Sequence, residues 1–286
     1  MENGAKSGDA TGAGPGLAHE VVIAEQSSPL QWVYFLHGIF GAGRNWGTVA
    51  RRLVEARRDV GAVLVDLREH GGSRGFEPPH TVTAAAGDLC RLVTATGRAP
   101  TAVVAHSFGG KVALAYTRAC AQAPDQLWLV DATPAARPEP SGDAWTLLGI
   151  LRSLPDEFES RDALIDALGE HGTARPVAQW IATNLERVER DGGATYRWRF
   201  DLDALESLLR DFFREDLTGI AEDPPSGLEV HVIRASTSSV LDEDTLDRLE
   251  RAAAASPRVH LHRVEGGHWL NLDNPDALLE LLIGSV

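Results

Sequence analysis

Thr101-Ala102-Val103-Val104-Ala105-His106-Ser107-Phe108-Gly109-Gly110 is the stretch on which the reading of this chain turns. Thr101 to Ala105 is a short continuous apolar run, the signature of a strand buried on both faces. Phe108 to Ala121 carries helical spacing, so Ser107 falls at a sharp strand-to-helix turn. Such a turn is strained, and the residues two places either side of the serine must be small. Gly109 meets that need; Ala105 stands where a first glycine is usual, which makes this a variant of the G-x-S-x-G elbow. The turn lifts the hydroxyl clear of the backbone and sets the Phe108 N–H at a helix N-terminus, where it can meet a developing oxyanion. A serine that merely caps the helix is the plainer reading; the strand before it favours a nucleophile.

Outward from the elbow, strand and helix signals alternate. Trp32–Leu36, Ala62–Val65 and Gln126–Val130 are further apolar runs, separated by helical patterns over Trp46–Arg58 and Thr81–Thr96. After residue 225, Leu228–Ile233 and Arg258–Val264 read as strands, and Asp242–Ala255 and Pro275–Ile283 as helices. Repeated strand–helix–strand units imply a parallel sheet with right-handed crossovers. Ligands gather at the carboxyl ends of such strands. His37, Asp66, His106, Ser107 and Asp131 all fall there.

A serine hydroxyl needs a base to become a useful nucleophile, and histidine titrates in the right range. His268, in Gly266-Gly267-His268-Trp269 between the last strand and the last helix, is the candidate base. The order Ser…Asp…His along the chain then requires an acid to orient it. Asp131, which ends a strand 24 residues after Ser107, is preferred. Asp242 reads instead as the cap of the helix that follows it, and Asp66 is a third alternative. In His37-Gly38-Ile39-Phe40-Gly41 the glycines allow close backbone approach to a reacting carbonyl. The Ile39 N–H is the expected partner of the Phe108 N–H, with Phe40 the neighbouring candidate and His37 a structural hydrogen-bonder.

Between Pro134 and Asp223-Pro224-Pro225 the rhythm becomes helical, over Asp143–Ser153, Arg161–His171, Pro176–Arg190 and Leu202–Arg214. The organisation expected is a flexible tail (1–18), a core of 19–133 and 225–286, and an all-helical cap (134–224) over the strand ends. Trp145, Phe158, Trp180 and Trp198 can line an apolar cleft beneath such a lid. Phe40, Trp180 and Trp269 are the expected substrate contacts.

The chain has 286 residues, 43% hydrophobic and 24% charged, with a net charge of −14. The acidic balance argues against nucleic acid or an anionic membrane as partner. No apolar run reaches the ~20 residues of a membrane span, and the Gly- and Ala-rich N-terminus lacks a secretory core. Cys90 and Cys120 read as buried thiols in a reducing compartment, by default the cytoplasm. His260 and His262 alternate on a strand but, without a neighbouring carboxylate set, read as surface residues; no metal is expected. No phosphate-binding lysine signature points to a nucleotide cofactor, so no cofactor is expected.

With these residues in place, the sequence resembles the α/β-hydrolase superfamily, and within it the small carboxyl and acyl-CoA esterases and the mitochondrial abhydrolase-domain-eleven proteins. The matching segments are His37–Gly41, Asp66-Leu67-Arg68-Glu69-His70-Gly71-Gly72-Ser73, His106–Lys111, Asp131-Ala132-Thr133-Pro134 and Gly267-His268-Trp269, with Trp180–Leu185 and Tyr196–Phe200 in the insertion. The resemblance covers residues 30–284. It implies the α/β-hydrolase fold, a mostly parallel central sheet flanked by helices, with the cap inserted after the strand ending at Asp131. It also implies Asp131 as acid, Ile39 and Phe108 as oxyanion donors, and a lid that shapes an acyl pocket. Ala105, Phe108 and Ser236-Thr237-Ser238-Ser239 depart from the family pattern and weaken any carry-over of substrate preference.

The function expected is hydrolysis of a carboxylic ester or thioester through an acyl-serine intermediate, with a small acyl compound as partner. A tailoring enzyme using the same triad for acyl transfer, lactonisation or C–C cleavage is the alternative. So is a ligand-binding protein that kept the fold and lost turnover, against which the complete Ser–Asp–His set counts.

Overall fold

The computed structural model describes residues 15–190 and 193–286. Its first half runs β1 (His19–Val22), β2 (Gln31–Leu36), α1 (Gly47–Ala56), β3 (Val60–Val65), α2 (Val82–Thr96), β4 (Ala102–His106), α3 (Phe108–Ala119) and β5 (Gln126–Val130). The middle contains α4 (Asp143–Ser153), β6 (Glu157–Phe158), α5 (Arg161–Glu170), α6 (Arg175–Ala182), β7 (Leu185–Arg190), β8 (Gly193–Trp198), α7 (Leu202–Arg214) and α8 (Thr218–Glu222). The chain ends with β9 (Glu229–Ala235), α9 (Glu243–Ala255), β10 (Val259–Val264), α10 (Leu270–Asp273) and α11 (Pro275–Ser285).

Seven strands form one sheet in the order β1-β3-β2-β4-β5-β9-β10, parallel except for β1 at the edge. This is the α/β-hydrolase fold. The apolar runs are continuous because both faces are covered. On β2, Val33 and Phe35 pack with α1 and α11, while Tyr34 and Leu36 pack with α2 and α3. β3 and β4 alternate in the same way, Leu64 and Val104 to one side, Val63 and Val103 to the other. That leaves only the carboxyl ends of the strands for chemistry.

The expected tail needs correction. Residues 1–14 lie outside the described residues, but Leu17 is buried and the Ala18 N–H donates to Ser73 Oγ at 2.7 Å. Leu17 and Ala18 therefore dock on the core, and His19–Val22 pairs antiparallel with β3.

The expected all-helical cap is also corrected. The segment between β5 and β9 carries a three-stranded antiparallel sheet, β6-β8-β7, beside its helices. The helix expected over Pro176–Arg190 stops at Ala182, and Leu185–Arg190 pairs with Gly193–Trp198. Val188, Thr195, Tyr196 and Trp198 are β-branched or aromatic and pack well on a pleated surface. The two ends of this segment meet: Arg137 N–H donates to Phe213 O (2.7 Å) and Leu217 N–H to Pro134 O (2.9 Å). Between them Lys111, wholly buried on α3, donates to the carbonyls of Ala135, Phe212 and Glu215. All three ammonium protons find acceptors. Burial lowers its pKa to about 8.

Candidate active site

Ser107 sits at φ +50°, ψ −114°, a backbone region costly to a residue with a Cβ. The strain is held by packing. A Cβ at position 109 would come within 2.6 Å of the His37 carbonyl oxygen, and one at position 110 within 2.4 Å of Ala132 Cβ. Only glycines let α3 start this close to β2 and β5. The Ser107 N–H donates to Val130 O at 3.1 Å, and the side chain stays partly accessible.

The structure brings the three expected polar residues together. His268 Nε2 is 3.1 Å from Ser107 Oγ, and His268 Nδ1 is 2.7 Å from Asp131 Oδ2. Asp131 also has a positive φ, +44°, and its side chain is buried. Its Oδ1 accepts the Ala235 N–H at 3.1 Å, and Oδ2 accepts Ser238 Oγ–H at 2.6 Å. A carboxylate so provided with donors is held in one orientation. Asp242 is elsewhere employed, capping α9 through Thr245 N–H at 2.9 Å. Asp66 takes Gly43 N–H at 2.7 Å and Gly72 N–H at 2.8 Å. Neither alternative faces His268.

Ile39 and Phe40 lie beside the elbow. The Phe40 N–H is already given to His70 Nε2 at 3.2 Å, whereas the amides of Ile39 and Phe108 have no acceptor among the described residues. That difference separates the two sequence candidates. Phe40 is nonetheless part of the loop, at φ +62°, with its carbonyl accepting Asn184 Nδ2–H at 2.9 Å from the insertion. Trp180 on α6 and Trp269 beside His268 are half-buried, their rings 5.8 Å apart.

Three histidines beyond the relay support the site: His37, expected as a structural hydrogen-bonder, and His70 and His106, to which sequence reasoning gave no role. His106 Nε2–H donates to the His268 carbonyl at 2.7 Å, fixing the backbone of His268. His37 Nδ1–H donates to Gly38 O (2.7 Å) and its Nε2 accepts Leu67 N–H (3.0 Å). His70 Nδ1–H donates to Arg68 O (2.8 Å). Burial pushes His37 down to about 4 and His70 and His106 to about 3, so all three are neutral with a defined tautomer. The Asp66–Ser73 segment is therefore scaffolding. Arg68 in it makes a buried two-pronged pair with Asp88, and Ser73 Oγ–H donates to Asp66 O. The repeated placement of histidines and an aspartate at strand ends was the available signal for this group.

His260 and His262 are corrected. They are half-buried rather than free on the surface, and a carboxylate does lie near: Glu229 Oε2 is 3.6 Å from His260 Nε2 and from His231 Nε2. This group belongs to the amino end of the sheet, away from Ser107.

Comparison with known proteins agrees with the fold. The chain is 28% identical over 289 residues to an esterase of Mycobacterium tuberculosis (strain ATCC 25618 / H37Rv), covering 95% of this chain and 90% of that one. It is 27% identical over 263 residues to the sn-1-specific diacylglycerol lipase ABHD11 of Danio rerio, covering 90% and 78%. A marine microorganism esterase has a similar structure, with a TM-score of 0.80 at 21% identity over 95% of this chain and all of that one. The profile of the alpha/beta hydrolase family matches residues 33–281, and the chain belongs to that family.

Proposed function

We propose that this protein is a serine hydrolase that cleaves a carboxylic ester or thioester through an acyl-serine intermediate. The observation that carries the reading is the unbroken relay from Ser107 Oγ through His268 to Asp131, at 3.1 and 2.7 Å. Two relatives named as an esterase and a diacylglycerol lipase favour the same chemistry.

His268 Nε2 takes the Ser107 proton as Oγ attacks the acyl carbon. The oxyanion is met by the N–H groups of Ile39 and Phe108, donors already in place and partly shielded from water. The imidazolium, stabilised by Asp131, then gives its proton to the departing alkoxide or thiolate. Water repeats the sequence in reverse, with His268 again as base, and frees the acid. Serine, histidine and two amides suffice, so the reaction needs no cofactor. Residues 134–224 act as a lid over this site, with Phe40, Trp180 and Trp269 against the acyl chain. No helix among the described residues is long and apolar enough to cross a membrane; the two thiols, Cys90 and Cys120, are unpaired, and the reading keeps a reducing, cytoplasmic setting.

The test is labelling with a fluorophosphonate probe, mapping of the modified peptide, and a panel of p-nitrophenyl and CoA esters. Ser107 is expected to carry the label. Ser107→Ala should lose turnover on the order of 10⁴-fold or more while staying folded. Turnover above one-tenth of wild type in a pure Ser107→Ala preparation would sink the reading.

A further inference from the structure

We infer that Glu229, His231 and His260 form a binding site for a divalent transition ion of the Zn²⁺ class, separate from the catalytic centre. His231 and His260 are directly paired across the parallel strands β9 and β10, and Glu229 is two residues before His231 on the same face of β9. Their candidate ligand atoms, His231 Nε2, His260 Nε2 and a Glu229 carboxylate oxygen, all lie within 4.8 Å of one another. Both imidazole nitrogens are 3.6 Å from Glu229 Oε2. Nitrogen and oxygen atoms that share an ion at ~2.0–2.2 Å each lie only slightly closer together than this.

The His231 side chain is more than nine-tenths buried, and its Nε2 has no hydrogen-bond partner although it points at the carboxylate; His260 Nε2 is likewise unpartnered. Unpaired buried nitrogens are costly. Their arrangement is explained if they are lone pairs meant for a cation. His262 completes the case. Its Nε2 is 3.1 Å from His231 Nδ1, and with His231 donating that proton, His231 Nε2 is left as the bare lone pair. This is the outer hydrogen bond that metal-ligating histidines usually make. The rings of His231 and His260 stack at 4.3 Å, so a shared ion requires one to tilt. His260, half-buried on the edge strand, has that freedom.

Two imidazoles and one carboxylate suit zinc, cobalt, nickel or copper rather than magnesium or calcium. The site lies at the start of β9, whereas Asp131 receives the Ala235 amide at its end, six residues or ~20 Å further along. An ion here braces the edge of the sheet and takes no part in the ester chemistry. It also lies against Trp128, whose ring stacks on His231 at 3.9 Å and 12°.

The experiment is titration of the metal-free full chain with ZnCl₂ by calorimetry, and with NiCl₂ while following tryptophan fluorescence. Wild type should bind one Zn²⁺ and show saturable quenching by Ni²⁺. Glu229→Gln and His260→Ala, both at partly exposed positions, should each weaken Zn²⁺ binding by about ten-fold or more and leave ester turnover in chelator unchanged. Trp128→Phe should bind Zn²⁺ as wild type does but lose most of the quenching. Wild type that takes up no Zn²⁺, or Glu229→Gln and His260→Ala variants that bind like wild type, would overturn the inference.

Discussion

Ser238 and His268 share one oxygen: Asp131 Oδ2 accepts the Ser238 hydroxyl at 2.6 Å and faces His268 Nδ1 at 2.7 Å. Ser238 sits on the loop after β9, and it locks the carboxylate rotamer that points Oδ2 at the imidazole. Ser238→Ala should therefore lower kcat about 3- to 10-fold with KM little changed, in keeping with the net worth of one typical hydrogen bond. A steady-state comparison at neutral pH checks this. A KM effect with unchanged kcat would mean that Ser238 serves the substrate instead.

Asp131→Asn keeps the shape of the acid but removes the charge and favours the wrong tautomer of His268. A kcat loss on the order of 10⁴-fold is expected. Asp242→Asn should retain turnover and cost at most about 1 kcal/mol, since it touches only the α9 cap. Paired kinetics with melting curves decide between them. A crippled Asp242→Asn beside a normal Asp131→Asn would reverse the assignment.

Acid stability follows from the buried histidines. Folded-state values lie at about 4 for His37 and about 3 for His70, His106 and His231, with burial the leading cause in each. The unfolded chain takes up these protons as the pH falls through ~6.5; the folded chain resists until pH 3–4. Stability is thus fully present above pH 6.5 and declines below it. Unfolding at pH 5.5 should be accompanied by uptake of roughly three to four protons, each worth about 1.4 kcal/mol per pH unit. Denaturant melts in chelator between pH 7 and 5 measure the slope, and a flat profile would contradict it.

Trp180 links the insertion to the loop that carries His268 through Trp269. Trp180→Ala should shift the ratio of kcat/KM between short and long acyl esters by several-fold, because it opens space beside the site rather than altering the relay. An unchanged chain-length profile would leave the insertion without a part in selectivity.

The sheet and the serine turn were legible for one reason: both are local in sequence. A strand buried on both faces is a run such as Val103-Val104-Ala105, and a strained serine needs Gly109 two residues on. What was not legible depends on pairing at a distance. His19–Val22 is short and mostly exposed, and it becomes a strand by pairing with the open edge of β3. Leu185 to Arg190 continues the helical spacing of Trp180 and Ile181, yet it is recruited into a hairpin with β8. In the site, Ser107, Asp131 and His268 were recognisable by type and order. The roles of His70, Asn184 and Ser238 were not, since each acts on backbone or carboxylate groups 30 to 144 positions away.

Lys111 gives the architecture a modular property. The insertion departs and returns through one narrow gateway, closed by two backbone bonds and a single ammonium group rooted in the helix that follows Ser107. Much of what lies outside that gateway can be lengthened, shortened or exchanged without re-threading the seven-stranded sheet, so the segment can be remodelled while Ser107, Asp131 and His268 stay where they are.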